Sequence, residues 1–274
     1  MRNSGQFPPG PLTSDIDTVV ALYESGKTMS EIGVLYGVTQ PAVSNLFRRN
    51  GIPARPQNWR RYDLDESVFD TITDASAYWI GFLMADGCVM RQHGGKSSAN
   101  IAVTLSTVDI KHLYKLRAFL GANNPIPIAE ATDTYKSRCT LRVTSNRLAS
   151  RLAIYGIVPR KTKYAQAHYV EHLPAFWRGV LDGDGSLEIR ETRPHYLMPI
   201  LQIYGSRPLM AQFWRFAKNQ IPGWQSHVRT GQYNFGTSVS GNRCKTLVKL
   251  LYDGASVALD RKMSIARNIM AWSR

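Results

Sequence analysis

Residues 78–87 read YWIGFLMADG, and residues 176–185 read FWRGVLDGDG. The two stretches share one pattern: an aromatic residue, Trp, a Gly two residues later, an apolar residue, Leu, and a small residue before a terminal Asp-Gly. One such stretch predicts an apolar helix that ends at an Asp-Gly turn. Two copies that begin 98 residues apart predict a duplicated unit, in which pseudo-symmetry places Asp86 and Asp184 at equivalent positions.

A second repeated feature follows each stretch. Arg160-Lys161 is matched by Arg261-Lys262, 101 residues later. Each half therefore has the same order: an apolar helix that ends in Asp, a stretch of strands, and an Arg-Lys pair. The predicted halves are residues 64–165 and residues 166–274.

The composition indicates the kind of partner. The chain has 274 residues and a formal net charge of +14, and a field of that sign favours a polyanion. Its three cysteines are too few and too scattered for a disulfide framework or a zinc knuckle, which indicates a reducing compartment. No apolar run approaches the ~18 residues of a membrane span, and residues 1–10 lack the apolar core of a signal peptide. We expect no membrane partner, no targeting signal and an intracellular protein, cytoplasmic in a prokaryotic or phage setting.

Residues 1–52 predict a small all-α domain after an unstructured lead, residues 1–13. Ser14 would cap its first helix and Thr39 its third. A glycine turn before the third helix, and polar residues on that helix's outer face, are typical of the DNA-binding helix-turn-helix. A generic small helical bundle is the alternative. The expected helices are residues 15–25, 29–36 and 40–50.

The basic stretch at residues 44–61 supports the DNA-binding interpretation, because it contains five arginines and no acid. Its second part belongs to a linker, residues 53–63, whose arginines would follow phosphates. The residues of this module and linker that we predict to contact DNA are Gln40, Ser44, Asn45, Arg48, Arg49, Arg55, Arg60 and Arg61.

The pattern within each half predicts a helix, two strands, a helix, two strands and a helix. Residues 100–106 and 136–143 alternate between polar and apolar side chains, which is typical of half-buried strands. Two sheets with open polar and cationic faces would form a long concave surface for a duplex. The expected helices include residues 75–85, capped by Asp74, and residues 108–120, 146–155, 209–218 and 242–251. The residues expected to bind DNA from the open faces are Asn100, Thr104, Lys136, Arg138, Thr140, Arg142, Arg190, Gln202, Tyr204, Arg229, Gln232 and Asn234.

Small residues lie four apart in both copies of the repeated stretch: Gly81 and Ala85, and Gly179 and Gly183. Small residues at that spacing allow two helices to pack backbone against backbone. If the copies pack together, two carboxylates meet at adjacent helix C-termini, where the helix dipoles already disfavour negative charge. A divalent cation would relieve that cost, and hard oxygen ligands with phosphate oxygens suit Mg²⁺. In the alternative interpretation, each aspartate only ends its helix at a turn before glycine.

The two stretches resemble the paired motifs of the LAGLIDADG homing endonucleases, in the single-chain form with two motifs. The resemblance covers residues 63–274. The final acidic position of the motif is present in both copies. The first copy departs from the family pattern at Trp79, Ile80 and Met84, and the second departs at Trp177 and Arg178.

The resemblance implies an α+β fold in which two αββαββα halves form a pseudo-twofold saddle of two four-stranded antiparallel sheets, beside the small all-α N-terminal domain. It implies a monomer that binds double-stranded DNA and hydrolyses both strands with a divalent metal. Mg²⁺ or a substitute such as Mn²⁺ would support cleavage, whereas Ca²⁺ would bind without supporting it. The implied catalytic residues are Asp86, Asp184, Lys161 and Lys262, and the implied metal ligands are Asp86, Asp184 and the carbonyls of Ala85 and Gly183.

Two other functions stay open. The same scaffold can serve as an RNA maturase that assists intron splicing, with intron RNA as its partner, or as a DNA-binding regulator without catalysis. The two retained acids argue against the regulator, because a pure binder gains nothing from crowded carboxylates. For Lys161 and Lys262, the alternative is a phosphate contact or a solvated surface charge.

Overall fold

The computed structural model describes residues 11–55, 61–90, 98–224, 229–230 and 235–273. The chain divides into two compact units, with the boundary between Arg61 and Tyr62. The smaller unit is helical, and the larger one combines helices with two antiparallel sheets. The prediction of an α+β chain with two antiparallel sheets is confirmed. Within the described ranges, no helix has the length and apolar character needed to cross a bilayer.

The smaller unit is built from α1 (Pro11–Ser14), α2 (Ile16–Glu24), α3 (Met29–Leu35) and α4 (Gln40–Arg49). The last three are the predicted helices, and each limit agrees with the expected one to within one residue. Their inward faces form a core around Val19, Ile32, Val43 and Phe47, which are almost completely buried. Gly37 follows α3 with a φ of +65°, a left-handed conformation that favours glycine.

Two local expectations for this unit are wrong, and a third is confirmed only in part. α1 occupies part of the segment that was expected to be unstructured, because Leu12 is buried against the core. Ser14 belongs to α1, and the cap position of α2 is taken by Asp15. Thr39 occupies the cap position of α4 but makes no side-chain cap hydrogen bond. Pro41 lies two residues later and has no N–H to donate, so one of the two usual partners of a capping side chain is missing.

The larger unit contains the duplicated domain, and both halves have the predicted order of helices and strands. The two sheets also have equivalent strand orders, with every pair of neighbours antiparallel. The first half consists of α5 (Asp74–Ala85), β1 (Gly87–Met90), β2 (Asn100–Ser106), α6 (Ile110–Phe119), β3 (Ile128–Ala129), β4 (Arg138–Thr144) and α7 (Asn146–Ile154), with the sheet order β1-β2-β4-β3. The second half consists of α8 (Pro174–Asp184), β5 (Gly185–Arg193), β6 (Tyr196–Gly205), α9 (Arg207–Gln220), β7 (Arg229–Thr230), β8 (Phe235–Ser240) and α10 (Gly241–Tyr252), with the order β5-β6-β8-β7.

Several boundaries differ from the sequence expectations. A 3-10 turn at Thr107–Asp109 replaces the first residues of the expected helix at 108–120. β4 begins at Arg138, so the exposed Lys136 precedes the strand in which it was expected. A final helix, α11 (Asp260–Ala271), is absent from the sequence prediction.

The cap of α5 also differs, because Thr73 replaces the expected Asp74. The Thr73 hydroxyl accepts a hydrogen bond from the Ser76 amide, and the Ser76 hydroxyl accepts one from the Thr73 amide, which completes a capping box. The Asp74 carboxylate instead accepts hydrogen bonds from Arg178 and Ser256 at 2.7 and 2.6 Å, so it ties α5 to the second half.

α5 and α8 pack against each other, and both helices are buried over most of their length. A Cβ atom at Gly81 would lie 2.0 Å from the carbonyl oxygen of Phe176, and one at Gly179 would lie 2.1 Å from that of Tyr78. Only glycine fits at these two positions without moving a backbone. The close contact brings the C-terminal ends of the two helices together.

Candidate active site

The two repeated aspartates meet where α5 and α8 end. Asp86 follows the last residue of α5, and Asp184 is the last residue of α8. A Cβ atom at Gly183, the residue before Asp184, would lie 2.4 Å from the Ala85 Cβ and 3.3 Å from the Asp86 Oδ2. The structure therefore brings the predicted acids and both neighbouring small residues to one place.

The electrostatics of this place reflect the crowding. Burial, and then the negative charge of Asp184, raise the pKa of Asp86 to about 6. Loss of water around the carboxyl group also raises the pKa of Asp184, against the attraction of Lys161 and Lys262, although part of this residue stays exposed. Both carboxyl groups thus lie in surroundings that penalise their ionised forms.

The glycines after the two acids allow the chain to turn from helix into strand. A Cβ atom at Gly87 would lie 2.5 Å from the Leu83 carbonyl oxygen. One at Gly185 would lie 2.8 Å from the Leu181 carbonyl oxygen and 2.8 Å from that of Gln202. A larger residue would collide with the preceding helical turn, which accounts for the Asp-Gly pair in both copies of the motif.

Lys161 and Lys262 are both buried beside the acids. The Lys161 ammonium donates a hydrogen bond to the carbonyl of Gly87, and Lys262 donates one to the equivalent carbonyl of Gly185 at 2.6 Å. Burial lowers the pKa of Lys161, and it lowers that of Lys262 to about 8. The Arg-Lys repeat therefore places one ammonium group next to each Asp-Gly turn.

The two lysines are nevertheless held differently. Lys262 also donates to the carbonyls of Leu181 and Asp182 at 2.6 and 2.8 Å, so three carbonyls receive its three N–H groups. It lies on α11, whereas Lys161 lies on a 3-10 turn that begins after Arg160, a residue with a φ of +59°. Lys262 is thus a fixed positive charge at the end of α8.

Asp182 is a buried residue of this region for which the sequence analysis predicts no role. Its carboxylate accepts hydrogen bonds from the hydroxyl groups of Tyr78 and Tyr252 at 2.7 and 2.6 Å, and from the Leu259 amide at 2.7 Å. Tyr78 belongs to the first half, and Leu259 precedes α11, which contains Lys262. Asp182 therefore connects both halves to the helix of the second lysine. The sequence feature that could have identified Asp182 is an acid inside an apolar helix. The equivalent residue of the first copy is Met84.

Arg178 is the second buried charge that the motif comparison left without a role. It donates to the carbonyls of Val257 and Leu251 at 2.9 and 2.8 Å, in addition to its ion pair with Asp74. The residue is 3% exposed, so these partners compensate a charge that would otherwise be costly to bury. The departure from the family pattern at this position thus fixes α8 against its neighbours.

The residues around the acids suit a divalent metal. Two carboxylates offer hard oxygen ligands, and the last carbonyls of a helix, such as those of Ala85 and Gly183, lack intrahelical donors. In the part of the chain that the structure describes, no three His, Cys, Asp or Glu side chains lie together as a metal-binding group. Further ligands would have to be water or phosphate oxygens. A cation would also offset the repulsion that raises the pKa of Asp86.

Space for a polar ligand lies beside these groups. A cleft of about 470 Å³ adjoins Asp184, and its lining includes Lys161, Lys163 and Tyr204. The combination of an acid, two ammonium groups and a phenol suits an anionic group that approaches together with a cation.

The open face of the first sheet is polar and basic. Thr104 lies opposite Thr140, and their hydroxyl oxygens are 2.9 Å apart. Arg138 and Arg142 are exposed on the same face of β4, whereas Cys139, Leu141 and Val143 are buried on the other. The predicted residues that share this face are Asn100, Thr104, Arg138, Thr140 and Arg142.

The second sheet has the same arrangement with one difference. Gln202 lies between Ser186 and Ser238 in the register, and Leu201 and Ile203 are buried on the opposite face. Arg190 is exposed on the open face, and so is Tyr204. Glu188, which is not among the predicted DNA contacts, also lies on this face, two residues before Arg190. Gln232, Asn234 and the side chain of Arg229 lie outside the described residues.

In the smaller unit, α4 presents a polar outer face without an acid. Gln40, Asn45 and Arg49 are exposed and Ser44 is half-buried, while Val43, Leu46 and Phe47 face the core. The guanidinium of Arg48 donates a hydrogen bond to the Asn45 side-chain oxygen at 3.0 Å. Arg61 pairs with Glu31 at 2.9 Å, and Arg60 lies outside the described residues.

Arg55 is engaged within the smaller unit. Its guanidinium donates to the carbonyls of Tyr23 and Lys27 at the end of α2, and lies 3.9 Å from the centre of the Tyr23 ring. A cation at this place complements the negative end of the helix dipole. Arg55 would have to leave these carbonyls to reach the DNA contact that was predicted for it.

The raised pKa of Asp86 gives a prediction about stability. Between the unfolded value of 3.8 and the folded value of about 6, the folded state binds more protons than the unfolded state, so stability falls as pH rises. The cost is fully present above pH 6 and absent below about pH 4. Asp86→Asn is therefore expected to raise the melting temperature without added metal at pH 7.5, and to leave it nearly unchanged at pH 4. Calorimetric scans across this range would measure the difference, and an equal shift at both pH values would contradict it.

Comparisons with known proteins gave structural likeness at low identity. No protein-family profile and no curated protein matches the chain. A crystal structure of meganuclease I-SmaMI bound to uncleaveable DNA matches 73% of this chain and 90% of its own, at 12% identity and a TM-score of 0.48. The LAGLIDADG meganuclease I-AabMI bound to uncleaved DNA gives the same coverage at 10% identity and 0.49. The LAGLIDADG homing endonuclease I-GzeII in complex with its DNA target matches 73% of this chain and 92% of its own, at 12% identity and 0.48.

Proposed function

We propose that this protein is a site-specific, metal-dependent DNA endonuclease of the LAGLIDADG type that cleaves both strands of a long target. The observation on which this rests is the pairing of Asp86 and Asp184 at the ends of two helices whose glycines allow them to pack closely. Each acid directly precedes the first strand of a sheet that has a polar open face. The two faces would bind the duplex on either side of the acids. The chain then acts as a monomer, because it contains both halves of the site.

The chain's own residues would perform three tasks. Asp86 and Asp184, with the carbonyls of Ala85 and Gly183, would hold Mg²⁺ or a similar divalent cation. The bound metal would supply Lewis-acid stabilisation and an activated water at neutral pH. Lys262, whose donors are occupied by three carbonyls, would act by its fixed positive charge. Lys161, held by the Gly87 carbonyl, would stabilise charge on the scissile phosphate. The products would be 3′-hydroxyl and 5′-phosphate ends.

Cleavage-site selection tests this function directly. The full chain is incubated with a randomised duplex library and Mg²⁺, and the cut products are sequenced. We expect one set of related sites, cut in both strands at a fixed spacing, and no products in EDTA. Unselective degradation, or cutting that persists in EDTA, would contradict the proposal.

We also propose that the smaller unit is a helix-turn-helix DNA-binding module whose second helix is α4. The support is the exposed row of Gln40, Asn45, Arg48 and Arg49 above a packed core, with Gly37 in the preceding turn. Such helices read base edges in the major groove from their N-terminal residues. Phosphate contacts from the arginines would add affinity that depends on salt.

Removing residues 1–62 is expected to weaken target binding and to shorten the footprint on DNA, while the remaining chain still cleaves. The reason is that the acids, the lysines and both sheets belong to the larger unit. Footprinting at several salt concentrations, with Arg48→Ala in the full chain as a milder variant, would measure the loss. A footprint of unchanged length would show that the smaller unit reads something other than DNA.

A further inference from the structure

Glu188 is an acid on a surface that otherwise suits a polyanion. It lies on β5 opposite Ile200, with Ser186 and Arg190 as its neighbours on the open face. Among the described strand residues on the two open faces, it is the one acid, and the equivalent position of the first sheet is Met90. Its side chain is 40% exposed. A carboxylate is therefore available to whatever the second sheet binds.

Judged by its charge alone, Glu188 would weaken the binding of DNA. A negative group that faces phosphates lowers affinity for every sequence. Arg190 lies 3.8 Å from the Glu188 carboxylate and offsets part of that cost, but both side chains are exposed. Such a group lowers the affinity for most DNA sequences. It improves discrimination between sequences if the target offers it a hydrogen-bond partner that other sequences lack.

The partner follows from hydrogen-bonding chemistry. An ionised carboxylate only accepts hydrogen bonds. In the major groove, the donors on base edges are the amino groups of cytosine and adenine, and glutamate characteristically accepts from cytosine N4. The edges of guanine and thymine present only acceptors in the major groove. Next to them the carboxylate would have no donor and would face oxygen or nitrogen atoms of partial negative charge.

We propose that Glu188 is a specificity-determining residue that accepts a hydrogen bond from the N4 amino group of a cytosine in the target. Glu188 lies three residues after Gly185, where β5 begins next to Asp184, and this separation corresponds to about 10 Å of strand. That length equals about three base pairs of duplex, so the cytosine lies about three base pairs from the phosphate beside Asp184. The inference rests on the proposed function, because it assumes a duplex against the second sheet.

The test reads binding rather than cleavage. Full-length protein and its Glu188→Gln variant are each used to select duplexes from a randomised library in EDTA, and base preferences are compared position by position. Asp253→Asn is the matched control. It makes the same change of charge beside the first turns of α5 and α8, at the helix ends away from the acids.

We expect the native protein and the control to prefer cytosine at one position, and Glu188→Gln to reduce that preference at least about fivefold, or to replace it by adenine. Preferences at other positions stay unchanged. If Glu188→Gln only tightens binding to all duplexes and keeps the same base profile, the residue acts by charge alone and the inference is wrong. If the native protein enriches no sequence at all, the proposed function itself fails and the inference fails with it.

Discussion

Asp86→Asn and Asp184→Asn are each expected to reduce double-strand cleavage by at least about 10³-fold, with little change in affinity for target DNA. Asparagine keeps the shape of the side chain but removes the negative charge that would hold the cation. Metal-based stabilisation contributes several kcal/mol to such reactions, and each 1.4 kcal/mol corresponds to a factor of ten in rate. In the proposed function, binding would depend mainly on the open faces of the sheets, which these changes leave intact.

A supercoiled plasmid with one target site separates the possible outcomes. Loss of linear product, together with a normal gel shift, is the expected pattern for each variant and for the double variant. Asp253→Asn, far from the acids, should cut like the native protein. Mg²⁺-dependent cutting by the double variant at the native rate would show that these acids are not the metal ligands.

Gly179→Ala is expected to cause a large loss of stability in the larger unit. The added Cβ would lie 2.1 Å from the Tyr78 carbonyl oxygen and 2.6 Å from the Phe82 amide nitrogen, so α5 and α8 must move apart. Overpacking of a core costs about 1–3 kcal/mol, and more where the obstacle is backbone. The gain of about 1 kcal/mol in helix propensity does not offset it. We expect a loss of about 3 kcal/mol.

Thermal unfolding measures this loss. For a unit of this size, about 3 kcal/mol corresponds to a fall in melting temperature of roughly 6–12 °C. Gly205→Ala is the control, because the atoms nearest to its added Cβ belong to the side chains of Met210 and Leu209 and not to a backbone, the nearest at 3.0 Å. A fall of less than 2 °C for Gly179→Ala would contradict the helix packing described above. Separation of the helices would also move the acids, so cleavage should fall even where the variant stays folded.

The parts of the fold that follow a period or a repeat were predictable. Apolar helices with glycines and alternating strands are local signals, and the duplication located the acids without further information. The two four-stranded antiparallel sheets were expected only through resemblance to a family, and the order of their strands was not predicted, since strand pairing joins residues that are far apart in sequence. α11 was not predicted because few of its residues are buried, namely Lys262, Ala266 and Ile269, and many of the others are polar.

The buried polar groups of the site were not predictable for a different reason. Asp182 depends on Tyr78 and Tyr252, which lie 104 and 70 residues away in the chain. Arg55 likewise finds its partners about 30 residues earlier, and its local sequence indicates only a basic linker. A charge whose partner is distant looks in sequence like any other charge. The same limit applies to Asp74, whose partner Arg178 lies 104 residues later, while Thr73 is the cap.

The network around Asp182 and Arg178 means that the two halves have diverged beyond interchange. The residues at the positions equivalent to Tyr78 and Asp74, 98 residues later, are Phe176 and His172. A chimera made of two second halves would lose the phenol that donates to Asp182, and would set Arg178 against a histidine. The second half therefore depends on Tyr78 and Asp74 of the first half, and a copy of itself would not replace them.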